Sequence, residues 1–429
     1  MARAAKRLLV RSAMPLGCAL AALWAGPARA DSGLDLFSPS TFELSGDLRL
    51  VAVDGEKSWI DGGFGKLRSG SDGDFRVRPE LGNVNLIWKP QFTWSLGATI
   101  VGSLQGGDRT EVGLSQAYLA FRPMRGEKFT VSARAGLMFP PVSLEHEGAD
   151  WRVKDSITPS AINSWIGEEV RPVAVEGTLA ATMGEHKVRA TAALLAANDT
   201  AGTLLTFRGW ALHDRLTLAF HRQPLPPLDE EVAGYQAQFT HPLLDVSHGF
   251  ANRPGYYAKL EWQPPIPVRF ELFRYDNRAD PEAVNQDLEW GWRTEFNHIG
   301  VVANLGGDAA LKVQAMDGRT RMGFVEAVGR RWVDNRFRSA FALLTRPIGS
   351  VGLTARIEAF DTRNHGSDIG EEYNDTGWAA MLAGKRDFGR FTGLIELLHV
   401  TSKREDREAI GLDSRQQQTQ LQAEVRTRW

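Results

Sequence analysis

Polar and apolar residues alternate with period two along most of the chain. In "TFELSGDLRL", Phe42, Leu44, Leu48 and Leu50 share one face, while Glu43, Ser45, Asp47 and Arg49 share the other. "VGLTARIEAF" sets Val351, Leu353, Ala355 and Ile357 against Thr354, Arg356 and Glu358. The alternation persists to the last residue. In "RQQQTQLQAEVRTRW", Leu421, Ala423, Val425 and Trp429 oppose Gln420, Gln422, Glu424 and Arg426. Such alternation predicts half-buried β-strands. Eighteen strands are predicted, from 42–53 to 416–429, and they include 203–212, 215–222 and 331–345. A chain end is seldom this regular unless it is paired.

The predicted connections sort by parity. Short ones, such as "KPQ" (89–91), "MGEH" (183–186) and "RDFG" (386–389), alternate with longer ones at 54–73, 140–171, 223–255, 276–286 and 402–415. A soluble sandwich has no reason to sort its loops in this way. A transmembrane β-barrel does, with short turns on one side, long loops on the other and an even number of antiparallel strands. In lipid every backbone polar group needs a protein partner, and closure supplies one to each strand edge. The fold class expected is therefore all-β: a transmembrane antiparallel barrel of 16 or 18 strands. Trp88, Trp94, Trp262, Trp290, Trp292 and Trp378 lie near predicted strand ends and suit interfacial girdles.

The first thirty residues read as a secretory leader. Arg3, Lys6, Arg7 and Arg11 precede the apolar "MPLGCALAALWAGP", and Ala28-Arg29-Ala30 fits small-residue cleavage before Asp31. A lipoprotein leader ending at Cys18 is the rival, but most of the apolar stretch follows that cysteine. Residues 31–429 are then expected to form a single barrel domain. Removing the five basic residues of the leader leaves 45 basic against 52 acidic residues, a net charge of −7. That balance argues against a nucleic-acid partner. The single cysteine leaves with the leader, so no disulfide stabilises the exported chain. The mature sequence has no apolar run of about 18 residues, so any crossing of a membrane must use strands. Only about ten residues precede the first strand, too few for a plug domain. No HExxH, GxSxG or Walker loop occurs, so neither a cofactor nor an enzymatic activity is expected.

Two stretches carry a family likeness: "GLMFPPVSLEHEGADWRVKDSITPSAINSWIGEEVR" (Gly136 to Arg171) and "LKVQAMDGRTRMG" (Leu311 to Gly323). With the terminal "AEVRTRW" they resemble the phosphate-selective porin O/P family of Gram-negative outer membranes. The resemblance implies an outer-membrane location among lipids, sixteen strands and a homotrimer. It also implies that Trp429 is a signal read by the barrel-assembly machinery. Phosphate-preferring members use stacked arginines and a lysine cluster. Here the corresponding loop offers Arg152, Lys154 and Arg171 among Glu145, Glu147, Asp150, Asp155, Glu168 and Glu169. That departure does not favour phosphate selectivity.

The 140–170 loop is too long for a plain connection, so a functional, inward-folded role is expected. Thr158 with Pro159 predicts a helix cap, and Trp165 and Ile166 would anchor the turn to the wall. The pore-lining and constriction candidates are Arg134, Glu145, Glu147, Arg152, Lys154, Glu168, Glu169, Arg171, Arg49 and Arg356. Arg134 leads directly into the loop. Further charges of both signs, among them Arg269, Arg293, Glu289, Glu295, Glu358, Glu396 and Arg426, are expected to line a wet pore with little selectivity. The function expected is passive or weakly selective diffusion of small hydrophilic solutes or anions. A structural or adhesive barrel with an occluded lumen is the alternative.

Overall fold

A computed structural model describes residues 36–429 apart from 72, 108, 127 and 249–251, so the leader predicted over 1–30 lies outside the described residues. Sixteen antiparallel strands close into one barrel. The first half comprises β1 (Phe42–Asp54), β2 (Arg76–Trp88), β3 (Leu96–Gln105), β4 (Glu111–Arg125), β5 (Phe129–Leu137), β6 (Val173–Met183), β7 (His186–Ala196) and β8 (Gly255–Gln263). The second comprises β9 (Val268–Asp276), β10 (Arg293–Gly306), β11 (Ala309–Val325), β12 (Arg331–Ile348), β13 (Val351–Asn364), β14 (Thr376–Phe388), β15 (Phe391–Lys403) and β16 (Arg415–Arg428). The barrel closes where β16 pairs with β1, from Ser45 opposite Arg428 to Asp54 opposite Thr419. Trp429 extends the seam by exchanging backbone hydrogen bonds with Leu44.

Sixteen strands form rather than eighteen, because 203–212 and 215–222 are not strands. The first begins as a short helix, Thr203–Phe207, and both lie inside the barrel. Nearly every side chain from 200 to 219 is buried. A segment surrounded by protein has no wet face, so the alternation in its sequence does not report a strand. The two expected strands were neighbours, so losing both leaves the parity of every later connection unchanged.

Alternation sets the two faces of the wall. Along β16 every second side chain is buried, from Gln416 to Arg426, while Leu421 and Val425 stand about half exposed. Leu48, Ile357, Leu382 and Ile395 are each more than 60% exposed on the outer face. An exposed apolar belt of this extent is stable only against lipid. Trp94, Trp262 and Trp378 are exposed near its rims, as expected of a girdle. Trp290 and Trp292 are not: both are buried, and Trp292 packs edge-on against Phe207.

The interior departs from a water-filled pore. A hydrophobic core fills the lumen, built from Trp165, Trp210 and Ile166 of the loops and from Tyr275, Phe296, Phe337 and Phe360 of the wall. On β9 the inward residues are Arg269 and Glu271 towards the short turns, then Phe273 and Tyr275 towards the long loops. The outer face makes the reverse change, from Phe270 and Leu272 to Arg274. Arg293 and Glu295 follow the same inversion and point outward, since Thr294 between them and Phe296 after them are buried inside. Glu289 lies in the loop before β10 and is no wall residue.

Candidate functional site

Three long loops enter the lumen and lock against it. They are 55–75, 138–172 and the first part of 197–254. The second traverses the barrel from the long-loop rim to the short-turn mouth. Beyond Leu137, the Leu144 N–H donates to Gln314 of β11 (3.3 Å). A small hairpin follows, His146–Glu147 paired with Arg152–Val153. At its tip Glu147 and Lys154 form an exposed pair of 3.3 Å, in a recess that Arg390 and Arg428 also line.

The returning segment is held by charged wall residues. Ile157 N–H donates to Glu396 at 2.6 Å, and Thr158 N–H donates to the same carboxylate at 3.0 Å. Arg356 donates to Thr158 O (2.8 Å), Pro159 O (3.0 Å), Glu145 (2.9 Å) and Glu358 (2.8 Å). Arg426 donates to Val153 O and Ser156 O. These wall charges therefore bind loop backbone rather than facing water. Hydrogen bonds to charged groups contribute roughly 1.5–3 kcal/mol each, and a broken partner inside protein costs more.

Helix α1 (Ala161–Glu169) follows and is wholly buried. Its cap is Ser160, two residues after the expected Thr158. Thr158 instead accepts from Gln422 of β16 (3.1 Å). Glu145 accepts from Ser160 N–H (3.0 Å), and Glu358 accepts from Ala161 N–H (2.7 Å). Two carboxylates thus satisfy free N–H groups at the positive end of the helix. Trp165 sits among Phe296, Phe337 and Trp210, with centroids 5.1–6.1 Å apart, so it anchors the centre of the lumen as well as one wall.

The third loop latches onto this helix. Arg208 binds Glu168 through both nitrogens (2.6 and 2.7 Å), and His213 Nε2 lies 2.9 Å from the same carboxylate. Burial alone would raise the Glu168 pKa, but Arg208 and then His213 hold it down at about 2. Glu169 accepts from Gly202 N–H, Leu204 N–H and Trp165 Nε1 at 2.7–3.1 Å, while burial pushes its carboxyl up to about 7. The three donors favour the ionised form, so geometry and burial oppose each other at this residue. Gly202 is required here: its φ is +110°, and a Cβ would lie 2.2 Å from Thr320 Oγ1 of the wall.

On the far side Asp214 accepts from Arg68 (2.8 Å) and Arg49, and those arginines together hold its carboxyl well below the usual range against the cost of burial. Arg49 also reaches Asp47 (3.0 Å) and Glu424 (2.5 Å), and Arg152 reaches Asp47 at 3.0 Å. Lys66 of the first loop binds Asp375 at 2.7 Å. The space left between plug and wall beside Arg49, Asn83, Ser103 and Asp214 is about 20 Å³, room for about one water molecule.

The candidates thus fall into separate groups. Arg49 and Arg152 meet around Asp47, Glu145 meets Arg356, and Glu168 and Glu169 join α1 to the third loop. Arg134 stands apart on the β5–β6 wall, in a two-pronged bond to Glu176 (2.7 Å each). Arg171 is buried over the Phe139 ring, and burial pushes it down to about 9. Sequence reasoning missed Lys66, Arg68, Arg208, His213 and Asp214. The signal for the last two was "HD" (213–214), a charged pair interrupting an apolar stretch, which reads equally well as a tight turn. Among the described residues no His, Asp and Glu cluster is arranged to hold a metal ion.

Two recesses open at the short-turn mouth. One, about 240 Å³, is lined by Arg152, Lys154, Arg390, Arg426 and Arg428 against Glu147 and Asp150. The other, about 290 Å³, is lined by Lys128, Lys187, Arg189 and Arg269 against Glu261. Both carry a basic excess.

The sequence matches no protein-family model and no curated protein. Among solved structures, the chain is similar in fold to the outer-membrane channel DcaP of Acinetobacter baumannii. The TM-score is 0.53 at 10% identity, covering 91% of this chain and 99% of that one. An anion-selective porin from Comamonas acidovorans aligns over the same shares at TM-score 0.49 and 12% identity. The likeness is one of fold, a porin-type barrel of the outer membrane. It does not reach the finer resemblance to the phosphate-selective O/P family.

Proposed function

We propose that the chain is an outer-membrane channel for small hydrophilic solutes, weakly preferring anions, whose passage is restricted by a plug of its own loops. The observation that carries this reading is the 138–172 loop. It runs the height of the lumen and is held by Arg356 and Glu396 through backbone atoms, with no covalent link to the wall beyond its two ends. The anion preference rests on the two basic recesses at the mouth. Fields from such clusters act on entering ions over roughly 10 Å at ordinary salt.

Conductance across planar bilayers tests the reading. Native protein is expected to give small, infrequent steps, and Arg356→Gln larger and more frequent ones. In a salt gradient the reversal potential should favour anions, and Lys187→Gln with Arg189→Gln should weaken that preference. A sealed, structural barrel is the second reading, favoured by the aromatic core around Trp165. Absence of channel steps from both native protein and Arg356→Gln at saturating protein would establish it instead.

A further inference from the structure

The long-loop ends of β10–β12 carry charge on the face that elsewhere meets lipid. Arg293, Arg319, Arg321, Arg336 and Arg338 point outward, each alternating with buried lumen residues such as Thr294, Thr320, Asn335 and Phe337. Five carboxylates share the patch. Asp276 pairs with Arg293 (3.5 Å), Asp317 with Arg338 (2.6 Å), Asp334 with Arg319, and Glu295 with Arg321 (3.0 Å), while Asp361 of β13, opposite Arg338, pairs with Arg363 (3.0 Å). Arg336 is exposed and, among the described residues, has no carboxylate in ion-pair range. The rows directly below are apolar (Ile299, Ala315, Ala340 and Ala359), so the arginines lie just above the belt.

An apolar groove of about 810 Å³ runs beside them on the outer wall. Its floor is small, with Gly177, Ala192 and Ala258 adjacent across β6, β7 and β8. Leu260, Leu272 and Ile299 rise around it, and its polar end is closed by Arg274 and Asn297. Arg274 bridges to the patch through Glu295.

We propose that this face binds a phosphorylated lipid of the outer leaflet, with a chain in the groove and its phosphate on the arginines of β10–β12. An apolar slot opening into an arginine cluster at headgroup depth matches both parts of such a molecule. Guanidinium forks take phosphate oxygens in pairs, and a phosphate would balance the excess of seven arginines, Arg274 and Arg363 included, over five carboxylates. A second copy of the chain fits less well. Its own copy of this face has the same basic excess, and round the barrel the row at the same height runs from Asp361 to Thr376, Lys403 and Arg415, with a single carboxylate.

The test titrates purified barrel in detergent with lipid A, a diphosphorylated glucosamine lipid, and with its dephosphorylated form, and reads bound lipid by native mass spectrometry. Native protein is expected to bind the phosphorylated form at least tenfold more tightly. The double variant R336Q/R338Q should lose that difference, and A192F, which fills the groove floor, should weaken binding of both forms. Equal affinity of native protein for the two lipids would overturn the proposal without recourse to any variant. So would unchanged affinity in R336Q/R338Q, or displacement of the lipid by inorganic phosphate alone. Loss of oligomers in R336Q/R338Q with lipid affinity unchanged would assign the face to a contact between copies, and would also overturn it.

Discussion

Two loop residues set how the plug answers acid. The Glu168 carboxyl is held at about 2 against an ordinary 4.5, so its latch to Arg208 is fully present above pH 4.5 and is lost as pH falls towards 2. A shift of that size corresponds to about 3 kcal/mol. His146 behaves differently. Burial, opposed by Glu145, lowers it from 6.5 to about 4, so the folded loop prefers the neutral ring. Its contribution is complete above pH 6.5 and disappears as pH falls through that window to 4. Amide hydrogen exchange should therefore show the 146–153 hairpin loosening first, between pH 6.5 and 4, with the 208–213 segment that Glu168 latches following below 4.5. Simultaneous loosening of both segments would contradict these assignments. Neither shift was legible in the sequence, because each depends on a partner distant along the chain or on burial inside the lumen.

At the level of elements, the wall was legible and its filling was not. Each of the sixteen strands carries its own period-two signal, and pairing reads that signal directly. Over 203–212 and 215–222 the period-two reading misleads, because protein surrounds the Thr203–Phe207 helix and the stretch to Ala219, and burial there does not depend on a face. Alternation also cannot say which face is wet. Arg269, Glu271, Phe273 and Tyr275 share one face of β9, and only the plug behind the last two explains why aromatics replace charges. Helix α1 is the element on which that core turns. Trp165→Ala should leave a cavity between Phe296, Phe337 and Trp210 and cost about 3–5 kcal/mol, as other large core truncations do. Urea unfolding in detergent would measure it. In bilayers the same variant should conduct more than native protein while inserting normally; unchanged conductance would separate the core from the pathway.

For the whole molecule the end of the chain matters most. The resemblance makes Trp429 a signal for assembly; the structure places it half exposed at the seam, bonded through its backbone to Leu44. Trp429→Ala, or polar residues appended after it, should lower the yield of inserted barrel while leaving the ion preference of the inserted fraction unchanged. Normal insertion of both variants would count against the role. The seam has one more consequence. Arg49 on the first strand joins Glu424 on the last and Asp214 in mid-chain, so the join and the filling share a single guanidinium. Neither can reach its final form while the other is undone, and the seam contact from Arg49 to Glu424 joins residues nearly as far apart in sequence as the chain allows. Maturation should therefore be slow and all-or-none, with no long-lived empty cylinder along the way.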